Sequence, residues 1–130
     1  PEKIKVVLLE PGKVARAAEI DATLEGMQSI VGGLIQPGYY FEEPVCCVVN
    51  EEGKMMGLDL NRGVYDDNKQ LIDIIAGTAF ICDCSGENFG SLTEEQIKKY
   101  KNVLTRNQEK YIMIAYDKLN SFSICKQNIC

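Results

Sequence analysis

The chain contains no histidine. That absence removes the side chain most often used as a general base near neutral pH, and Ser-His and Cys-His nucleophile activation go with it. Also missing are a G-x-x-x-x-G-K-[ST] phosphate loop, a G-x-G-x-x-G turn after a strand and an H-E-x-x-H zinc helix. Gly32-Gly33 and the glycines at 86 and 90 are accounted for as helix-stop and loop residues. These gaps lead to the expectation of a protein that is not an enzyme and needs no cofactor. An excess of positive charge is lacking too: 19 acidic against 14 basic residues give a net charge of -5, which argues against a nucleic-acid binder built on a general cationic face. A local basic patch stays open. No apolar run approaches the roughly 20 residues that cross a bilayer, and "VVLL" at 6–9 is shorter than a signal-peptide core. The expected location is the cytosol, with no membrane contact.

Six cysteines are present, and in a short secreted chain they would read as a disulfide framework. Without an export signal they are expected as reduced thiols. Cys46-Cys47 in "VCCVVN" and Cys82-x-Cys84 in "AFICDC" lie in strand-like settings where a small apolar side chain packs well. Zinc sites show paired ligands two to four residues apart, often with histidine, so no metal is expected. Cys125 and Cys130 lie in a polar tail, free to react with each other or with another chain. The acidic doublets Glu42-Glu43, Glu51-Glu52, Asp66-Asp67 and Glu94-Glu95 sit in turn-like or helix-start contexts, where adjacent carboxylates usually face water.

"KIKVVLLEPG", residues 3–12, reads as a strand ending at a Pro-Gly turn, and "ARAAEI" reads as its hairpin partner. A helix follows: Leu24, Met27, Val31 and Leu34 recur at helical spacing, Asp21 is placed to cap it, and Gly32-Gly33 to stop it. Residues 39–60 alternate strand-like segments around "NEEGK", whose composition suits a solvent-facing hairpin turn. "GTAFICDC" supplies another strand. Thr93 and Gln96 then form a T-x-x-Q capping box, with Leu92 and Ile97 as its hydrophobic staple, and Ile97, Tyr100 and Leu104 face the core. The polar run "TRNQEK" interrupts the pattern. Tyr111, Ile112, Ala115, Leu119 and Phe122 resume it as a second helix.

The resulting order, β-β-α-β-β-β-α-α, predicts an α+β fold: a mostly antiparallel sheet with helices packed on it, whose ββαββ start is compatible with a β-grasp-like arrangement. One α+β domain is expected over 1–104, with 105–130 as a helical extension packed on it.

"LNRGVYDDNKQLIDIIAGTAF", residues 60–80, holds the strongest candidate contacts. The Arg62 guanidinium can grip a carboxylate or phosphate through two parallel hydrogen bonds, and Asn61, Thr78 and the backbone amides around Gly77 can complete a polar pocket. The favoured reading is nonetheless structural, with Asn61 capping a turn and Arg62 paired with Asp73 or a hairpin glutamate, and anion binding second.

The succession "VLLEPGK", "TLEGMQSIVGGLI", "NEEGK", "LNR", "DIIAGTAFI" and "FGSLTEEQIKKY" resembles, over residues 3–104, a domain of unknown function, the one numbered three-eight-four-six, found in phages and mobile elements. The resemblance implies a bacterial host cell and accessory work there, either regulation or interference with a host defence system. It carries no catalytic residues to transfer. Two functions are therefore expected to compete. One is a non-enzymatic binding protein acting on a host protein, as a counter-defence inhibitor. The other is a small-ligand module that sequesters an anionic nucleotide signal through Arg62. A flat apolar patch rimmed by acids favours the first, and a concave pocket holding Arg62 among converging donors favours the second.

Overall fold

A computed structural model of the chain describes residues 2–107. The tail cysteines and the helix expected over 111–122 lie outside the described residues. The chain begins as read from sequence: β1 (Lys3–Leu9) and β2 (Arg16–Asp21) form an antiparallel hairpin, in register from Lys3 opposite Asp21 to Leu8 opposite Arg16. At its turn the Lys13 N–H donates to the Glu10 carbonyl at 3.1 Å.

α1 (Leu24–Val31) follows. Its cap is Thr23, whose side chain accepts from the Gly26 N–H at 3.0 Å. Asp21, expected in that role, is instead held in the β2 ladder opposite Lys3. Gly32 ends the helix at φ 81, a left-handed conformation that glycine adopts without penalty. A helix of 8 residues buries a narrow stripe, here Met27 and Val31, so Leu24 and Leu34 stay largely exposed.

β3 (Ile35–Gly38) is a strand that the Pro-Gly content concealed. It lies at the edge of the sheet, where a proline's missing N–H is tolerated. β4 (Val45–Asn50) pairs with it. The hairpin expected across "NEEGK" does not form: β4 has β3 and β7 as neighbours, and residues 51–57 turn the chain into a separate, two-stranded sheet. That sheet consists of β5 (Leu60–Tyr65) and β6 (Leu71–Ala76), joined across the Asp66-Asp67 turn, where the Asp66 carboxylate accepts from the Asn68 and Gln70 N–H groups. β7 (Ala79–Asp83) then returns to the main sheet and enters between β1 and β4, antiparallel to both. The five-stranded order is β2-β1-β7-β4-β3. The fold is α+β, and among the described residues every strand pairing is antiparallel.

Both faces of this sheet are covered, which is why its central strands read as continuous apolar runs. Ile4, Val6, Leu8, Cys46, Val48, Phe80 and Cys82 face α1, packed on Met27 and Val31. Val7, Leu9, Val45, Cys47 and Ile81 face the other way. There they meet Val64 and Ile75 of the hairpin and Ile97, Tyr100 and Leu104 of α2 (94–107). The α2 start is as expected: the Gln96 N–H donates to Thr93 Oγ1 at 3.1 Å, the Thr93 N–H donates to Gln96 Oε1 at 2.9 Å, and Leu92 and Ile97 are both buried. The helix runs on past Leu104 through residue 107, so the first half of "TRNQEK" is helical; its second half lies outside the described residues.

Replacing Thr93 with alanine removes one half of the reciprocal cap. Thr93→Ala is expected to lower unfolding stability by about 0.5–2 kcal/mol without changing the fold, read as a shift in denaturant midpoint at constant slope.

Candidate functional site

Asn61 and Arg62 are consecutive on β5, yet both are buried, at 3% and 0% exposure. A regular strand would send them to opposite faces. The register shifts between Leu60 and Arg62, and this bulge lets both side chains turn inward. The Arg62 guanidinium then reaches three carbonyls in two segments far from it in sequence. Nη1 donates to the Leu104 carbonyl at 3.0 Å, and Nη2 donates to the carbonyls of Glu10 at 3.1 Å and Lys13 at 2.7 Å. Nε donates to Asn61 Oδ1 at 2.7 Å. The Asn61 amide nitrogen in turn donates to the Leu9 carbonyl at 2.9 Å and the Gly77 carbonyl at 2.8 Å.

Neither half of the structural reading drawn from sequence holds in detail. Asn61 caps no turn but bridges β1 to the β6–β7 link. Arg62 has no carboxylate partner among the described residues. Asp73 sits opposite Val64, one diagonal away from the pair that Arg62 makes with Ile75, and its oxygens are taken by Lys54 and Tyr40. Burial pulls the Arg62 pKa down to about 10, still far enough above neutrality to keep the guanidinium charged.

Asn61, Arg62 and Gly77 are thus brought together, with their donors already in use. Besides Asn61 and Arg62, the Gly77 N–H donates to the Asp59 carbonyl at 2.7 Å. Gly77 itself has φ 79, and a Cβ there would lie 2.7 Å from the Leu58 side chain. Thr78 is half-buried in a neighbouring depression, lined also by Glu10, Lys13 and Asp59.

A second polar constellation has no signal in the sequence. A cleft of about 350 Å³ opens between β3 and β6, lined by Pro37, Tyr40, Glu51, Glu52, Met55 and Ile74 among others. At its centre the Tyr40 hydroxyl donates to Asp73 Oδ2, and Lys54 Nζ donates to Oδ1 at 2.5 Å. Burial, then the Asp73 contact, raises the Tyr40 pKa above the ordinary tyrosine value. Burial also works to raise the Asp73 carboxyl, but hydrogen bonds from Lys54, Tyr40 and the Ile74 N–H outweigh it and hold the group below its usual range. Both groups are moved away from neutrality, the opposite of what a general acid or base needs. A similar pair, Tyr100 with Glu43, ties the loop before β4 to α2, with the Phe41 ring 4.8 Å from that of Tyr100.

A family model described as a domain of unknown function (DUF3846) matches residues 4–105, and the chain belongs to that family. No curated protein and no solved structure matches it.

Two outcomes test this geometry. Arg62→Ala strands three carbonyls and leaves a void, so a loss of roughly 3–5 kcal/mol is expected in chemical denaturation; Arg62→Lys is expected to recover only part of it, because an ammonium cannot span the same acceptors. The Asp73 carboxyl titrates lower in the folded state than in the unfolded chain. Its stabilisation is therefore present above the unfolded value of about 4 and is lost as pH falls through the lower folded value. The difference in melting temperature between wild type and Asp73→Asn should be largest near neutrality and shrink below about pH 4.

Proposed function

From that family membership we propose that the protein is a non-enzymatic binding protein of a phage or mobile element, acting on a host protein in the bacterial cytoplasm as a counter-defence inhibitor. The observation that carries the binding role is the placement of large apolar side chains in solvent. Met55 is 88% exposed, and Met56, Leu60, Leu71 and Ile72 are between 43% and 54% exposed. All five lie on the loop after β4 and the β5–β6 hairpin, and Met55 also lines the cleft. Exposed Glu51, Glu52, Asp59, Asp66 and Asp67 accompany them. Apolar side chains left in water and rimmed by charge are characteristic of protein-binding surfaces, and methionines adapt to irregular partners. The acids favour a partner with a basic surface. The cleft itself supports binding over catalysis, since its tyrosine and carboxylate satisfy each other.

The second reading, sequestration of an anionic nucleotide, moves away from Arg62, which is sealed from solvent. What favours it is a shallow depression between the β1–β2 turn and α2, lined by Val14, Arg16, Lys101, Thr105 and Arg106. Lys101 and Arg106 belong to no ion pair among the described residues.

An affinity pull-down from host lysate, analysed by mass spectrometry for proteins and for small molecules, separates the two. Wild type is compared with Leu71→Asp/Ile72→Asp and with Lys101→Glu/Arg106→Glu. The proposal expects a stoichiometric host protein, lost in the first variant and kept in the second. A nucleotide lost only in the second variant, with no protein captured, would overturn it.

A further inference from the structure

Three cysteine thiols meet on the α1 face of the central sheet. Cys46 on β4 stands directly opposite Cys82 on β7, their sulfurs 3.8 Å apart, and both residues are fully buried. Cys84 lies two residues beyond Cys82, so its side chain emerges on the same face. The pairing with β4 continues there, the Cys84 N–H donating to the Pro44 carbonyl at 2.8 Å. Cys84 is only half-buried and packs against the same apolar cluster. Cys47 faces the other side of the sheet, where burial pushes its thiol up to about 12.

We propose that Cys84, Cys46 and Cys82 form a thiol–disulfide exchange site, entered at Cys84 by a small-molecule disulfide and ending in a cross-strand Cys46–Cys82 disulfide. In the first step the Cys84 thiolate attacks one sulfur of the small disulfide RSSR, forming Cys84–S–SR and releasing RS⁻, which takes up the proton that Cys84 lost. The Cys46 thiolate then attacks Cys84 Sγ, breaking its bond to SR and releasing a second RSH. Finally Cys82 attacks Cys46 Sγ, which closes the Cys46–Cys82 bond and returns the Cys84 thiol. Two protein thiols are oxidised by two electrons, and one RSSR is reduced to two RSH.

The end point fits strand geometry. Directly opposed residues of an antiparallel pair have Cα atoms about 4.5–5.5 Å apart, inside the roughly 4.4–6.8 Å that a disulfide spans. The sulfurs need only close from 3.8 Å to about 2.05 Å by side-chain rotation. The diagonal Cys46–Cys84 pair is wider, so its disulfide is strained and short-lived. Hydrogen bonding from Cys82 holds the Cys46 thiol below its ordinary value, while Cys82 and Cys84 are raised. The second step, through Cys46, is therefore favoured, and entry at Cys84 and closure by Cys82 are the slow steps. In a reducing cytosol the three rest as thiols, and the bond forms when the disulfide pool rises.

The test uses the full chain with Cys125→Ser and Cys130→Ser, so that only the described cysteines respond. The reduced protein is exposed to oxidised glutathione and sampled by non-reducing peptide mapping. A glutathione adduct on Cys84 is expected first, followed by a linked Cys46–Cys82 peptide two hydrogens lighter. Cys84→Ser should slow formation of that link by about tenfold or more. Cys82→Ala should stop the sequence before the link while the Cys84 adduct still forms. An unreactive protein, an adduct that persists at Cys84 with no link, or a link that forms in Cys84→Ser at the unaltered rate would each overturn the proposal. Peptide mapping of the chain with Cys46, Cys82 and Cys84 intact decides the first two outcomes even if a further variant fails to fold.

Discussion

One buried guanidinium sets the terms for the half of the molecule that faces α2. Arg62 carries a permanent charge into a region otherwise lined by valine, leucine and isoleucine, where an unsolvated ion would be prohibitively unstable. It is accommodated because backbone carbonyls replace its water: Glu10 and Lys13 from the β1–β2 turn, and Leu104 from α2. Those segments have no regular ladder in common. The planar fork of the guanidinium holds them at fixed separations, which a single ammonium cannot do. Asn61 extends the same device, satisfying Leu9 and Gly77 where β1 ends and β7 begins.

That arrangement decides what the rest of the surface is free to do. With Arg62 committed to the interior, what the surface presents is set by the groups around it, and these divide by chemistry. The hairpin that carries Arg62 on its inner side presents Leu71 and Ile72 to solvent, beside a cleft whose Tyr40, Lys54 and Asp73 satisfy one another. A satisfied polar cluster positions a surface; it does not move protons near neutrality. The opposite face of the central sheet is different again, a covered apolar layer whose chemical potential lies in three neighbouring thiols.

Local rules read some parts of this chain correctly from sequence. The Thr93–Gln96 box and its Leu92–Ile97 staple span only a few residues, so spacing alone specifies them. The β1–β2 hairpin around Pro11-Gly12 was equally legible, as was the glycine stop of α1; of its expected stripe Met27 and Val31 are buried, and Leu24 and Leu34 are not. Errors appeared wherever a decision depended on a distant neighbour. "NEEGK" has hairpin composition, but β4 prefers β3 and β7, whose apolar side chains complete both covered faces. β3 was hidden because Pro37 and Gly38 read as turn residues, and an edge position excuses them.

The candidate site divides along the same line. The sequence by itself determined that Asn61, Arg62 and Gly77 are special, since a charged and a polar residue entering an apolar stretch beside a glycine must be satisfied by something. It also determined the α+β class and the lack of histidine chemistry. Only the tertiary structure decided the partner. A carboxylate was the natural guess, because opposite charge is the one kind of complementarity visible in a list of side chains. Backbone carbonyls are present at every residue and so carry no sequence signature; which of them converge is set by packing between segments as far apart as Glu10 and Leu104. The Tyr40–Asp73–Lys54 cluster was invisible for the same reason: its members come from three separate segments and meet only where the second sheet folds back beside the first.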